Sequence, residues 1–480
     1  MTNLDTQHDL SLPQAKRSRR VRSDRAAGPS SRFPRQRDMD HRSIAVLAFA
    51  LFQLVTATLF LRPAEVFSWV GDVPLYEVLM LSTLALSVTS MEPHFHWLAL
   101  VRQPITLCAA ALLPAVAISH LQHFYLGGLI DSVPNFGKTL LYFGLVITVV
   151  NSPRRLRAFL FNVALCTSVM VTLCLFDYWE IWDFEFIEHL HDVDGHDDDG
   201  NPIIVHRMRG TGIFQDPNDL AMVIVAGGVL ALYFLTDRTL GYFRWLWTAS
   251  FLVFAAAVLE TKSRGGLLAA SAAVLMLACF RYGHKFALVL GILAVASLPV
   301  LAGRAGNISL SEGSTGHERI EMWREGYAAL KSPNLLFGVG HSMYADYAGL
   351  VAHNSFVHTY VELGIVGGSL FFGCWYFAAV QLYRMGQLTE PVWHPELARL
   401  RPFMGALLAG WCTSMMSLSR PYVVPTFLVL GVAAAYLNLV WIHTPQGQPL
   451  VLWGRKQFWR LAGASAATFV GFYLFTIIAA

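Results

Sequence analysis

Apolar stretches of nearly membrane-spanning length follow one another along most of this chain. A helix needs about 20 mostly apolar residues to cross a bilayer, and we count about thirteen such stretches, or twelve spans if one is re-entrant. They lie near 43–61, 74–90, 104–120, 136–151, 157–176, 217–236, 243–260, 265–281, 285–302, 356–383, 402–418, 422–442 and 461–480. Only 14% of the residues are charged, against about 25% in a soluble domain. The chain is therefore predicted to be an all-α, polytopic integral membrane protein, which excludes a soluble enzyme, a secreted disulfide scaffold and a disordered regulator.

The basic residues predict how the chain crosses the membrane. Residues 1–42 carry ten lysines and arginines and few large apolar residues, which predicts a basic, disordered cytoplasmic tail. Alternating spans from there place 24 of the 35 lysines and arginines on the cytoplasmic side, as the positive-inside rule expects. We expect a first helix bundle over 43–302 and C-terminal membrane helices over 356–480, with the N-terminus inside.

Two outer segments, 177–215 and 303–355, are longer than connectors need to be, and long ordered loops tend to carry function. In the second, Thr315 and Glu318 have the spacing of a capping box, and apolar residues follow at helical spacing. These apolar residues are Ile320, Trp323, Tyr327 and Leu330. The pattern predicts an amphipathic helix lying on the outer membrane surface.

The first outer segment ends with two arginines and a helix start. Arg207 and Arg209 precede Asp216-Pro217, in which Asp216 is expected to cap a helix that begins at Pro217. Capping accounts for the presence of Asp216, but it does not account for Arg207 and Arg209 just before the helix. The acidic run at 192–199 fits a solvated turn better than a calcium loop.

Arg264 stands in a very short junction, 261–268, between two apolar stretches. This places its guanidinium at the membrane surface. Two interpretations stay open: an interfacial cation that reaches into water, or an anion ligand held at a fixed depth.

The second outer segment leads into a span that carries polar residues. Asn354, His358 and Glu362 are spaced four apart and share one helix face, with Glu362 roughly 10 Å into the span. An intramembrane acid is usually functional or paired. The alternative to a functional role is a His358–Glu362 contact that fixes helix packing. Gly364 and the glycines after it are expected to allow close packing.

The six cysteines fall inside apolar stretches without metal-ligand spacing, so they predict neither disulfides nor a metal site.

Several short motifs together resemble the O-antigen ligase family. The motifs are His353-Asn354 followed by Gly364 and Gly367, Arg264 with Leu268, the segment from Gly212 to Asn218, Glu318-Arg319 with Trp323, and Phe337 to Gly340. They cover about 205–370. The match elsewhere is one of apolar spans alone.

The resemblance implies a membrane glycosyltransferase of cell-surface polysaccharide biosynthesis. Such enzymes sit in the bacterial inner membrane and face the periplasm. They move a glycan from a polyprenyl diphosphate carrier to an acceptor hydroxyl, without metal, cofactor or nucleic acid. The acceptor is lipid A–core in the ligases and a second carrier-linked glycan in the exopolysaccharide or O-antigen polymerases; a further branch glycosylates proteins. The motifs do not separate these branches, and a chain-length regulator is a further candidate partner.

The expected site residues follow from diphosphate chemistry. Arginine pairs with phosphate oxygens through two parallel hydrogen bonds and keeps its proton, so Arg264 with Arg207 or Arg209 is expected to clamp the carrier diphosphate. His353 is the expected general base. The remaining candidates for substrate binding or orientation are Asn218, Glu318, Arg319, Asn354, His358 and Glu362.

Two other classes of function stay open as alternatives. A transporter or flippase would need charged or broken helices near the bilayer midplane and an internal repeat. A non-catalytic membrane scaffold would not need arginines and a histidine on one face. A transferase should be more sensitive to the loss of His353 than either.

Overall fold

The computed structural model describes residues 36–66, 73–184, 187, 190–196, 202–302, 315–331, 333–388, 392–444 and 447–479. These residues are predominantly helical, which confirms the predicted all-α class. The helices are α1 Gln36–Leu61, α2 Pro63–Val66, α3 Leu75–Phe95, α4 Trp97–Arg102, α5 Pro104–Leu121, α6 Leu126–Val149, α7 Pro153–Tyr178, α8 Pro217–Leu235, α9 Leu246–Glu260, α10 Arg264–Tyr282, α11 His284–Ala302, α12 Thr315–Ala329, α13 Asn334–Phe337, α14 Tyr344–Ala348, α15 Ser355–Met385, α16 Pro395–Met415, α17 Val424–Ile442 and α18 Arg455–Ala479. Two 3-10 helices cover Gly212–Phe214 and Arg238–Trp245.

The chain divides into two compact units, 1–43 and 44–480. Of the first, residues 36–43 are described and form the start of α1. The rest of the predicted basic tail lies outside the described residues. The second unit contains every other element.

Among the described residues, nine helices are long and apolar enough to cross a membrane, which confirms a polytopic membrane protein. They are Ser43–Leu61, Pro104–Leu121, Pro153–Tyr178, Pro217–Leu235, Arg238–Glu260, Arg264–Tyr282, Ser355–Met385, Val424–Ile442 and Arg455–Ala479. The four other predicted apolar stretches also fall on helices, namely α3, α6, α11 and α16. The helices α8 and α17 are the most buried spans, and α9, α10 and α18 are the least.

A two-stranded hairpin is the exception to the helical fold. Strand β1 Leu190–His196 pairs antiparallel with β2 Pro202–Arg207, with Leu190 opposite Arg207. The hairpin places Arg207 at the end of a paired strand, close to the start of α8. Part of the acidic run, 197–199, lies outside the described residues.

The predicted span 356–383 corresponds to α15, and one glycine inside this helix departs from helical geometry. The backbone of Gly364 has a φ of +66°, so the helix is broken there. The break frees the carbonyls of Val361 and Glu362, which accept hydrogen bonds from the N–H groups of Val339 and Gly340, each at 3.0 Å. A freed carbonyl inside a membrane protein must find a donor, and here the preceding loop supplies it.

The helix α12 exists as predicted, but its apolar face does not lie open to the membrane. Trp323 and Tyr327 are buried, with their rings 6.0 and 5.3 Å from Phe472 and Phe469 of α18. The indole Nε1 of Trp323 also donates to the carbonyl of Ala352 at 2.5 Å. The apolar face of α12 that the sequence pattern reveals is therefore covered by α18.

We expect Gly364→Ala to destabilise the protein, because a side chain disfavours the positive φ and its Cβ would overlap the backbone of Leu336. The expected loss is about 1–3 kcal/mol or more of unfolding free energy, seen as a lower melting temperature in detergent. Gly471→Ala is the matched control, since a Cβ there meets open space. Equal melting temperatures of the two variants would contradict this account of the break.

Candidate active site

The N-terminal ends of α8, α10 and α15 meet at one end of the helix bundle. A side chain caps each of them: Asp216, Ser263 and Asn354 accept backbone N–H groups of the first turns at 2.7, 3.0 and 3.0 Å. The predicted cap at Asp216 is confirmed. Because the N-terminal end of a helix carries partial positive charge, three such ends together favour an anion.

Asn218 joins two of these helix ends to an arginine. Its Oδ1 accepts hydrogen bonds from Ser263 Oγ at 2.7 Å and from Nη2 of Arg207 at 3.2 Å. The Nε of Arg207 donates to the carbonyl of Thr261 at 3.1 Å. The guanidinium of Arg207 is thereby fixed beside the first residue of α10, Arg264. The structure thereby joins the end of the first outer segment, at 207–218, to the short junction at 261–268.

The turn between α16 and α17 adds an arginine that sequence reasoning missed. Arg420 pairs with the buried carboxylate of Asp219, with its Nε 2.8 and 2.7 Å from the two carboxylate oxygens and its Nη2 at 2.5 Å. Its backbone N–H donates to Ser355 Oγ at 2.9 Å, which ties the turn to the start of α15. A lone arginine between two apolar stretches was the available signal, the same that singled out Arg264.

Arg319 is the last of four arginines in this region. We call Arg207, Arg264, Arg319 and Arg420 the positive group. Burial lowers the pKa of the Arg319 guanidinium, and the neighbouring charges of Arg264 and Arg207 lower it further, while Asp216 opposes them. Arginine stays protonated despite such shifts. Like charges repel one another, so an anion among these arginines would relieve the repulsion.

His353 lies directly before the cap of α15, in a strained conformation with a φ of +48°. It is half-buried. Burial lowers the pKa of its imidazole, Arg319 lowers it further, and Asp216 acts in the opposite direction. The ring is therefore neutral at pH 7 and has a free nitrogen lone pair to take up a proton. Backbone strain of this kind is concentrated at functional sites.

Glu318 and Arg209 are the remaining predicted site residues of the outer segments. Glu318 is exposed on α12. Arg209 donates through its Nε to the carbonyl of Gln215 at 2.6 Å, which braces the loop ahead of α8.

Asn354, His358 and Glu362 lie on one side of α15 as predicted, but inside the protein. His358 Nε2 is 3.1 Å from Glu362 Oε1, so the predicted contact between them is confirmed. Glu362 also accepts the N–H of Tyr344 at 3.2 Å, and the Tyr344 ring stacks on that of His358. Since Asn354 and Glu362 are fully buried, these groups hold the first half of α15 and the loop before it in place.

A groove of about 250 Å³ opens beside the positive group. Its polar wall holds Asp216, Asp219 and Arg420, and its apolar wall holds Phe214 and Met222. Carboxylates beside an apolar surface are suited to sugars, which present hydroxyl groups and C–H faces.

Comparison with known protein families matches residues 249–372 to the O-antigen ligase family. This confirms the predicted resemblance. The matched segment holds Arg264, Arg319 and His353, and Asn218 and Arg420 lie outside it. The match supports a glycan-transfer function of the O-antigen ligase kind in polysaccharide biosynthesis. A comparison with curated proteins found no match.

We expect Arg420→Gln to lower the melting temperature, because it leaves the carboxylate of Asp219 buried without its counter-ion. The expected cost is about 2 kcal/mol, less than for a fully buried pair because Arg420 is partly exposed. The double variant with Asp219→Asn should recover part of the loss. Arg238→Gln, at an exposed position, is the control. Equal melting temperatures of the Arg420 variant and wild type would show that the pair does not hold the turn.

Proposed function

We propose that the protein transfers a glycan from a polyprenyl diphosphate carrier to an acceptor hydroxyl at the periplasmic face of a bacterial inner membrane. The acceptor is a carbohydrate, either lipid A–core or a second carrier-linked glycan.

The observation that carries the proposal is the meeting of three helix N-termini with Arg207, Arg264 and Arg319. A diphosphate leaving group concentrates negative charge as its bond to the sugar breaks. Fixed cations and helix ends that face this charge stabilise it more in the transition state than in the ground state. Arg207 is already oriented by Asn218, so little reorganisation is needed.

His353 supplies the base for this reaction. The acceptor oxygen attacks the anomeric carbon, and its proton passes to the neutral imidazole. The bond from the anomeric carbon to the diphosphate oxygen breaks, and the carrier leaves as the diphosphate anion. Since the diphosphate departs as a stable anion, no separate acid is required. His353 is half-buried and then releases the proton to water.

The charge distribution supports the periplasmic side for this site. At the opposite end of α8, Asp237 pairs with Arg157 at 2.7 Å and with Arg399 at 3.3 Å. Arg281, another basic residue of the predicted cytoplasmic loops, lies over Phe403 of α16, the helix that also carries Arg399. The positive-inside rule assigns that end to the cytoplasm.

Mass spectrometry of carrier-linked glycans in cells that lack the protein tests the proposal. Wild type, His353→Ala and the control His284→Ala, an exposed histidine of α11, are expressed in turn. Single repeat units that accumulate in deletion and His353→Ala cells would indicate a polymerase, and finished chains left on the carrier would indicate a ligase. An unchanged carrier pool in the deletion strain would contradict glycan transfer and favour a flippase or a scaffold.

Arg264→Lys should lower the transfer rate about 100-fold, as when one donor to a developing anion is removed. The charge remains but the paired geometry of the guanidinium is lost. The rate is measured with purified protein and a lipid-linked donor. The control Lys262→Gln removes a nearby charge that already pairs with Glu260 at 3.3 Å, and should keep near wild-type activity. Full activity of Arg264→Lys would exclude the bidentate clamp.

Arg319→Gln should shift the acid limb of the pH–rate profile to higher pH. The charge of Arg319 disfavours the protonated imidazole, so its removal raises the pKa of His353 and extends protonation towards neutral pH. Arg324→Gln, an exposed arginine of the same helix, should leave the limb where it is. An unchanged limb in the Arg319 variant would argue against His353 as the base.

A further inference from the structure

A second groove opens at the end of the bundle opposite the candidate active site. It has a volume of about 660 Å³ and lies between α1, α7 and the start of α16. The active-site end of α8 holds Asp219, and the other end leads to Asp237, which pairs with Arg157 in this groove. A helix of this length separates the two sites by roughly 28 Å.

The polar end of this groove carries an uncompensated cation. The carboxylate of Asp237 is matched by Arg157 and Arg399, and that of Glu396 by Arg399 at 2.9 Å. Within the described part of the chain, the exposed guanidinium of Arg154 makes no hydrogen bond or ion pair. The Arg154 charge is therefore available to an anion from outside the protein.

A neighbouring polar atom also has no partner. The Nδ1 of His394, which lines the same groove, is buried without a hydrogen bond among the described residues. A buried polar nitrogen costs free energy until it is paired. A polar headgroup bound in the groove would lie among the side chains that line it, which include His394.

The other end of the groove is lined by apolar side chains and by the amides of Gln53 and Asn162, which donate to the backbone carbonyls of Ala158 and Gln53 at 3.1 and 2.9 Å. Phe161 and Leu165 line it, and their side chains are 38% and 46% exposed. Leu165 is eleven residues after Arg154 on α7, which corresponds to about 16 Å along the helix. The groove thus runs from the cation of Arg154 to exposed apolar side chains about 16 Å further along α7.

We propose that this groove binds an anionic glycerophospholipid, with its phosphate at Arg154 and an acyl chain along Phe161 and Leu165. A free phosphate ester would match the cation but leave the apolar wall uncovered. A zwitterionic lipid would match the apolar wall but bring its own cation to Arg154. Basic pockets between membrane helices at the positive end of a protein favour anionic headgroups. The site is separate from glycan transfer and does not depend on it.

Native mass spectrometry of the full chain in detergent tests the site with phosphatidylglycerol, phosphatidylethanolamine and glycerol 3-phosphate. Wild type should bind phosphatidylglycerol in preference to the other two. Arg154→Gln should bind it about fivefold more weakly, the effect of one basic residue near a headgroup. Arg154→Lys should keep most of the affinity. Melting temperatures in detergent establish that each variant is folded.

Two further variants separate this groove from general surface charge. Lys285→Gln removes an exposed cation outside the groove, and should bind like wild type. Ala158→Phe fills the groove, whose wall includes Ala158, and should weaken binding without a change of charge. Equal loss in the Lys285 and Arg154 variants, equal binding of phosphatidylethanolamine, or binding of glycerol 3-phosphate as tight as that of the lipid would each overturn the proposal.

Discussion

The first turn of α8 fixes the candidate active site through two adjacent side chains. The amide oxygen of Asn218 holds Arg207 and the cap of α10, and the carboxylate of Asp219 holds Arg420 and, through it, the start of α15. Each arginine needs such an acceptor, because cations gathered in one place would otherwise turn away from one another. Under the proposed function, this group of arginines is what binds the carrier diphosphate.

The broken helix α15 has a related role. Its first half presents His353 and Asn354, and its second half crosses the bundle. Between them, the freed carbonyls receive the N–H groups of Val339 and Gly340. This pairing ties the loop before α15 to the helix through backbone contacts. The buried His358–Glu362 pair adds a side-chain contact at the same place.

Local features of the site could be predicted from the sequence, and contacts between distant segments could not. The cap at Asp216 and the short junction at Arg264 depend on neighbouring residues alone, and both are found as expected. The Asp219–Arg420 pair joins positions 201 residues apart. A first-turn acid already had a local explanation, so nothing in the pattern indicated a distant partner.

The same limit applies to two features of the fold that the sequence left open. The sequence of α12 shows an apolar face but does not say whether lipid or protein covers it, and here α18 does. The glycine at 364 is compatible with close packing and with a break. The break follows from the loop at 336–340, which fills the space that a side chain at 364 would need.

The central claim is that the group of arginines binds a diphosphate and that His353 acts in the chemical step. Binding of a short-chain polyprenyl diphosphate to the purified protein tests it most directly, with the corresponding alcohol as the reference ligand. We expect Arg264→Gln to weaken binding of the diphosphate at least about tenfold, as for a lost charge-assisted pair, and His353→Ala to leave binding near wild type while it abolishes transfer. Equal affinity of wild type and Arg264→Gln for the diphosphate, or equal affinity of wild type for the diphosphate and the alcohol, would contradict the account.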